Sequence, residues 1–177
     1  MVVVASAFGG DVKLGEEKST HLHFYMHDIL SDPNPTAIRV VKGPPKLPRL
    51  PNFNFGDISG HQTSTYIFVM DNPLTEGPNP TSKLVGWAQG LYVFASQGSD
   101  RASLLTTNLV FKEGKYIGST LSILSRDAAF ALVRELPVVG GTGMFRLARG
   151  YALLNTYSFN TTLGDADLEL DVYVVHY

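Results

Sequence analysis

A two-residue rhythm organises most of this chain. Over residues 21–30, Leu22, Phe24, Met26 and Asp28 alternate with His21, His23, Tyr25 and His27, giving one largely apolar face and one face of polar rings. A helix would scatter these residues around its circumference, whereas an extended strand sorts them onto two sides. Runs rich in β-branched and aromatic residues predict further strands over 63–70, 85–96, 103–112, 116–124, 130–139, 144–155 and 167–177. Turn residues separate them, among them Asp71-Asn72-Pro73, Glu113-Gly114-Lys115, Ser125-Arg126-Asp127 and Gly140-Gly141-Thr142-Gly143. Only the alanine-containing stretch 126–135 offers a competing helix.

Eight mostly antiparallel strands with short turns make an all-β fold, either a barrel or a sandwich. Gly86, Ala88 and Gly90 share one strand face and Gly150 and Ala152 another, where small residues permit bending or leave space. That favours an eight-stranded antiparallel closed barrel with an internal apolar pocket. Between the first two strands lie Pro33, Pro35, Pro44, Pro45, Pro48 and Pro51, so this stretch is expected to be a long loop with at most a short edge strand over 37–41. Residues 1–19 are unpatterned and read as a flexible leader, followed by a single domain over 20–177.

Composition narrows the partner. The chain is 44% hydrophobic and 17% charged, with 14 basic and 16 acidic residues, which argues against disorder and against a nucleic-acid partner. A small uncharged ligand is expected. With no cysteine there is no disulfide, thiolate metal site or cysteine nucleophile. No run approaches the ~20 apolar residues of a membrane helix, so no membrane partner is expected. The short apolar run 1–8 lacks a basic start and reads as a remnant of processing rather than a complete signal peptide. The sequon Asn160-Thr161-Thr162 makes Asn160 a candidate glycosylation site and hints at secretion.

Several side chains carry chemical interest. Asp28 ends the apolar face of the first strand, so it is either a carboxyl raised in pKa by an apolar pocket or a strand-end residue bonding a turn amide. Asp127 sits at a strand end and could converge on the same ligand, or simply serve a turn. Arg134 lies among apolar neighbours and needs an acid or a ligand oxygen. Tyr92 and Phe94 share the face of Gly86, Ala88 and Gly90, where they serve as an aromatic stacking surface or as core. Phe24 and Met26 share the face of Asp28, Thr156 and Leu168 continue inner faces of the last two strands, and all four are expected to line the pocket and bind its ligand. His21, His23 and His27 lie opposite Asp28 with no carboxylate on their own strand face, so they are read as solvated or interface residues and no metal site is assigned. No nucleophile elbow or phosphate loop is present.

The runs His23-Phe24-Tyr25-Met26-His27-Asp28-Ile29-Leu30, Val85-Gly86-Trp87-Ala88-Gln89-Gly90-Leu91-Tyr92, Gly118-Ser119-Thr120-Leu121-Ser122, Leu136-Pro137-Val138-Val139-Gly140-Gly141-Thr142-Gly143-Met144-Phe145 and Leu170-Asp171-Val172-Tyr173-Val174 occur in an order that resembles the plant dirigent family. The resemblance implies the allene oxide cyclase/dirigent-like barrel, commonly trimeric, acting without a cofactor on a phenolic substrate in the apoplast. It implies catalytic roles for Asp28, Asp127 and Arg134, and pocket roles for Tyr92 and Thr156. Leu168 and Phe94 stand where lignan-forming members carry phenylalanine and tyrosine. Those departures, with the absence of cysteine, point to the branch containing the pterocarpan synthases, hydro-lyases that dehydrate a hydroxy-isoflavanol through a quinone methide. The alternative is a non-catalytic protein that guides coupling of phenoxy radicals made by an external oxidase.

Overall fold

The computed structural model describes residues 14–31, 33–42, 66–95 and 102–177. Most of the expected leader, the centre of the proline loop and the start of the second predicted strand lie outside the described residues. Among those described, the strands are β1 (Lys18–Asp28), β2 (Ala37–Lys42), β3 (Tyr66–Thr75), β4 (Leu84–Phe94), β5 (Ala102–Phe111), β6 (Thr120–Ala128), β7 (Val133–Thr142), β8 (Arg149–Phe159) and β9 (Ala166–His176). They form one nine-stranded sheet in the order β1-β9-β8-β7-β6-β5-β4-β3-β2, in which the pairing of β1 with β3 closes an eight-stranded antiparallel barrel and leaves β2 outside the ring.

Closure is shared between two strands. β1 pairs with β3 only at Tyr25↔Thr75 and Met26↔Leu74. The other half of that β3 edge pairs with β2, from Ala37↔Met70 to Lys42↔Tyr66. Asp71, Asn72 and Pro73 therefore lie inside a strand, not in the turn their residue types predict. The Asp71 amide points to this edge, donating to the Thr36 carbonyl at 2.8 Å. Two residues on, Pro73 faces the same side in the gap between β2 and β1, where a strand amide has no ladder partner to lose.

Local geometry also revises other boundaries. Short 3-10 turns occupy Gly114–Tyr116 and Gly143–Phe145, so β6 and β8 begin later than their hydrophobic patterns indicate. Gly114 and Gly143 have φ of 71° and 62°, the left-handed region where a side chain is strained. Ser125-Arg126-Asp127 continues β6 instead of turning, and the stretch weighed as a helix is strand, turn and strand. The expected roominess around the β4 glycines is absent. A Cβ on Gly90 would stand 2.0 Å from the Thr106 carbonyl oxygen, so the missing side chain lets two strongly coiled strands approach.

The barrel interior is unequally filled. At one end the fully buried Phe145 packs against Phe111, Tyr116 and His176, with ring centroids 5.5, 4.7 and 5.1 Å away. The middle is sealed by inward residues such as Leu109, Leu121, Ala152 and Val172, all 0% exposed. The opposite end, where β1, β6 and β8 finish and β7 and β9 start, is left open. This places the strand termini carrying acids around a cavity.

Candidate active site

The open end encloses a cavity of about 330 Å³ whose lining includes Asp28, Asn72, Tyr92, Asp127, Arg134 and Thr156. Met26, Phe94 and Leu168 supply apolar wall. Seven strands thus bring together residues that are far apart in the sequence. Phe24 does not line this space. It is one inward step deeper on β1, with its ring 6.2 Å from that of Phe111 in the sealed core.

Asp28 is held from two sides. Asn72 Nδ2 donates to Oδ1 at 3.1 Å, and the Tyr92 hydroxyl donates to Oδ2 at 3.4 Å. Burial pushes the carboxyl up to about 6, while the two donors pull it down and the charges of Asp165 and Asp127 push it further up. Asp165 is itself fixed as a carboxylate acceptor of the Leu30 and Ser31 amides at 2.8 and 3.0 Å. Burial, then the neighbouring Asp28 charge, raises Tyr92 well above the ordinary phenol range, so its hydroxyl stays a donor. The Tyr92 ring is stacked on Phe68, with centroids 4.8 Å apart, which fixes where the hydroxyl points.

The second acid belongs to a separate pair. Arg134 Nη1 donates to Asp127 Oδ1 at 3.3 Å, and Nη2 donates to Thr156 Oγ1 at 2.9 Å. Burial raises Asp127, and the Arg134 charge and hydrogen bond oppose that rise. Arg134 Nε is buried with no hydrogen-bond partner among the described residues. The cavity therefore holds a carboxyl that can carry a proton near neutral pH beside a carboxylate backed by a cation. Around its rim, Phe130 and Leu132 in the β6–β7 turn are 52% and 90% exposed, an apolar lip.

Residue types alone did not point to Asn72, because Asp-Asn-Pro is ordinarily a turn. Its position directly across from Asp28, continuing the register 26↔74, was available only once β1 and β3 were paired. The histidine face also differs from its sequence reading. β9 brings Asp171 to within 2.7 Å of His21 and 3.0 Å of His23, so carboxylates do reach these rings from the next strand. His27 is fully buried rather than solvated. Asn160 is exposed in the β8–β9 turn, where its side-chain oxygen accepts the Thr162 and Leu163 amides at 3.0 and 3.1 Å.

Comparison with known proteins agrees with this architecture. A family model described as dirigent-like protein matches residues 19–175. Dirigent protein 21 of Arabidopsis thaliana is 43% identical over 160 residues, covering 90% of this chain and 78% of the relative. Pterocarpan synthase 1 of Glycyrrhiza echinata is 44% identical over 163 residues, covering 92% and 80% of the two chains. The structure of the pterocarpan synthase dirigent protein GePTS1 superposes with a TM-score of 0.81 at 42% identity, covering 93% of this chain and 94% of that one. A barrel with this strand order and a match along almost its whole length make the chain a member of the dirigent family.

Proposed function

We propose that this protein is a pterocarpan-synthase-like dehydratase that converts a 2′-hydroxyisoflavan-4-ol into one enantiomer of the ring-closed product. The observation that carries this reading is Asp28, an acid held near pKa 6 inside an apolar cavity, opposite the Asp127–Arg134 pair. A cavity of about 330 Å³ is at the small end of the range for ligand sites, which suits one fused aromatic molecule.

The proton inventory closes without a cofactor. Asp28 donates its proton to the benzylic hydroxyl as the C–O bond breaks, releasing water. The phenol conjugated with that carbon gives its proton to Asp127, leaving a neutral quinone methide. The 2′-oxygen then attacks the same carbon, its proton returns to Asp28, and Asp127 returns the other proton to the phenol oxygen. Arg134 keeps Asp127 available as the base between substrates, and Tyr92 orients a substrate oxygen. The rigid wall admits attack on one face only. Purified protein incubated with the substrate and no oxidase should give the product, and loss of dependence on Asp28 would refute the scheme.

A second reading, in which the protein only orients phenoxy radicals, is favoured by the aromatic wall of Tyr92 and Phe94, which needs no acid. It requires product to form only when an oxidase is added. We further propose a homotrimer. The outer faces of β2 to β6 expose Ile38, Val69, Leu104 and Leu124 at 58%, 47%, 45% and 49%, and the register places Ile38, Val69 and Leu124 along one row. Sedimentation as a monomer would rule this out. Secretion to the apoplast, with glycosylation at the exposed Asn160, belongs to the same proposal, and glycosidase treatment of plant-expressed protein tests it.

A further inference from the structure

Asn72 is an amide with no obvious reason to be in a barrel interior. It is 0% exposed, between inward-facing Met70 and Leu74, and its Oδ1 has no hydrogen-bond partner among the described residues. Burying an unpaired carbonyl oxygen is unfavourable, and a leucine would fill the same volume without that penalty. What the amide gains is on its other side. Nδ2 reaches Asp28 Oδ1 at 3.1 Å, and its only other acceptor among the described residues is the weak one of Met70 Sδ at 3.7 Å. The orientation of the whole side chain is thus set by one carboxyl oxygen.

The two oxygens of Asp28 are unequally served. Oδ1 has the Asn72 bond, directly across the β1–β3 seam, whereas Oδ2 has only the longer 3.4 Å contact with Tyr92. A proton on Oδ1 would meet the N–H of Asn72 head on. A proton on Oδ2 displaces only the weaker contact and leaves the Asn72 bond intact. We propose that Asn72 is a positioning residue that determines which oxygen of Asp28 carries the proton, pinning Oδ1 so that the acidic O–H is on Oδ2. Nothing is asked of Asn72 toward the substrate itself. Without it the carboxyl can rotate, and the proton is divided between an oxygen that faces the leaving group and one that does not.

This inference rests on the acid role proposed for Asp28, but its test does not need turnover. In protein labelled with ¹³C-aspartate and ¹⁵N-asparagine, the side-chain N–H signals of Asn72 should move with the same midpoint as Asp28 Cγ as pH is varied. Asn72→Leu should raise that midpoint by about one pH unit, because a hydrogen bond to the ionised form is worth more than one to the neutral form. Should the leucine variant not fold, Asn72→Asp keeps the shape but replaces the donor with a second acid, and the two neighbouring carboxyls should then titrate as a coupled pair in two separated steps. In the assay, the basic limb of the kcat profile should shift by the same unit as the NMR midpoint, with KM unchanged. Asn72 signals that stay flat through the Asp28 titration, or an unchanged midpoint in the leucine variant, would overturn the proposal. A shifted midpoint in a protein that makes no product would instead leave the positioning role standing and remove the dehydratase reading.

Discussion

His27 and Asp28 are consecutive in β1, yet each is tied down on its own side of the barrel wall. Asp28 faces the cavity, while His27 points outward and is 0% exposed. His27 Nδ1 is 2.6 Å from Asp167 Oδ1 on β9, and Nε2 is 2.7 Å from Thr75 Oγ1 on β3. One ring therefore bridges both neighbours of β1 at the seam where only two residue pairs close the barrel. His27→Ala should leave Asp167 and Thr75 without these partners and cost about 3 kcal/mol. Chemical denaturation checks this, and a loss below about 0.5 kcal/mol would show that the seam does not depend on the bridge.

Asp28 should be a catalytic asset and a structural burden. Its folded pKa of about 6 exceeds the unfolded value near 3.9, so between those values the folded state binds more protons and stability falls as pH rises. The penalty is absent below the unfolded pKa and complete above about 6. It amounts to at most about 3 kcal/mol. Asp28→Asn should therefore raise the melting temperature at pH 8 by several degrees, with the gain vanishing near pH 4, while slowing dehydration at least ~10²-fold. Activity of the native protein should decline above about pH 6 as the donor ionises. Thermal melts at the two pH values and a pH-rate profile test the pair of signs.

Arg134 and Asp127 should behave as one unit. Their side chains are 5% and 14% exposed, so removing the guanidinium strands a buried carboxylate. Arg134→Leu alone should cost about 3–5 kcal/mol and push Asp127 further up. Adding Asp127→Asn should recover much of the lost stability but no activity. A double-mutant cycle with no coupling would mean that the 3.3 Å contact is incidental.

The glycines test how the sheet coils. Gly90→Ala would place Cβ 2.0 Å from a backbone oxygen of β5, which cannot swing away as a side chain could, whereas Gly140→Ala meets nothing within 4 Å. The first should cost about 3 kcal/mol and the second should be close to neutral. Equal melting temperatures for the two variants would contradict the close approach of β4 and β5.

How far the sequence reached follows from where local and long-range signals agree. Alternation in β1 put Asp28 on the inner face because inward and outward residues there differ sharply, and the same signal set Tyr92 and Phe94 beside Gly90. It failed where tertiary pairing overrides residue preference. Asp71-Asn72-Pro73 has turn chemistry, but the gap between β2 and β1 accommodates the proline within a strand. Phe24 was expected in the pocket because periodicity gives the face of a residue and not its depth along the barrel. The Asp171 contacts of His21 and His23 come from β9, about 150 residues away in sequence, beyond the reach of any local pattern.

The most direct test of the dehydratase account is a single assay. Purified protein is incubated without oxidase with a 2′-hydroxyisoflavan-4-ol that bears a free phenol conjugated with the carbinol carbon, beside the Asp28→Asn variant and a blank, and the product is resolved by chiral chromatography. The account predicts one pterocarpan enantiomer from the native protein and near-blank rates from the variant. Product that appears only after an oxidase is added, or an Asp28→Asn variant as fast as the native protein, would contradict it.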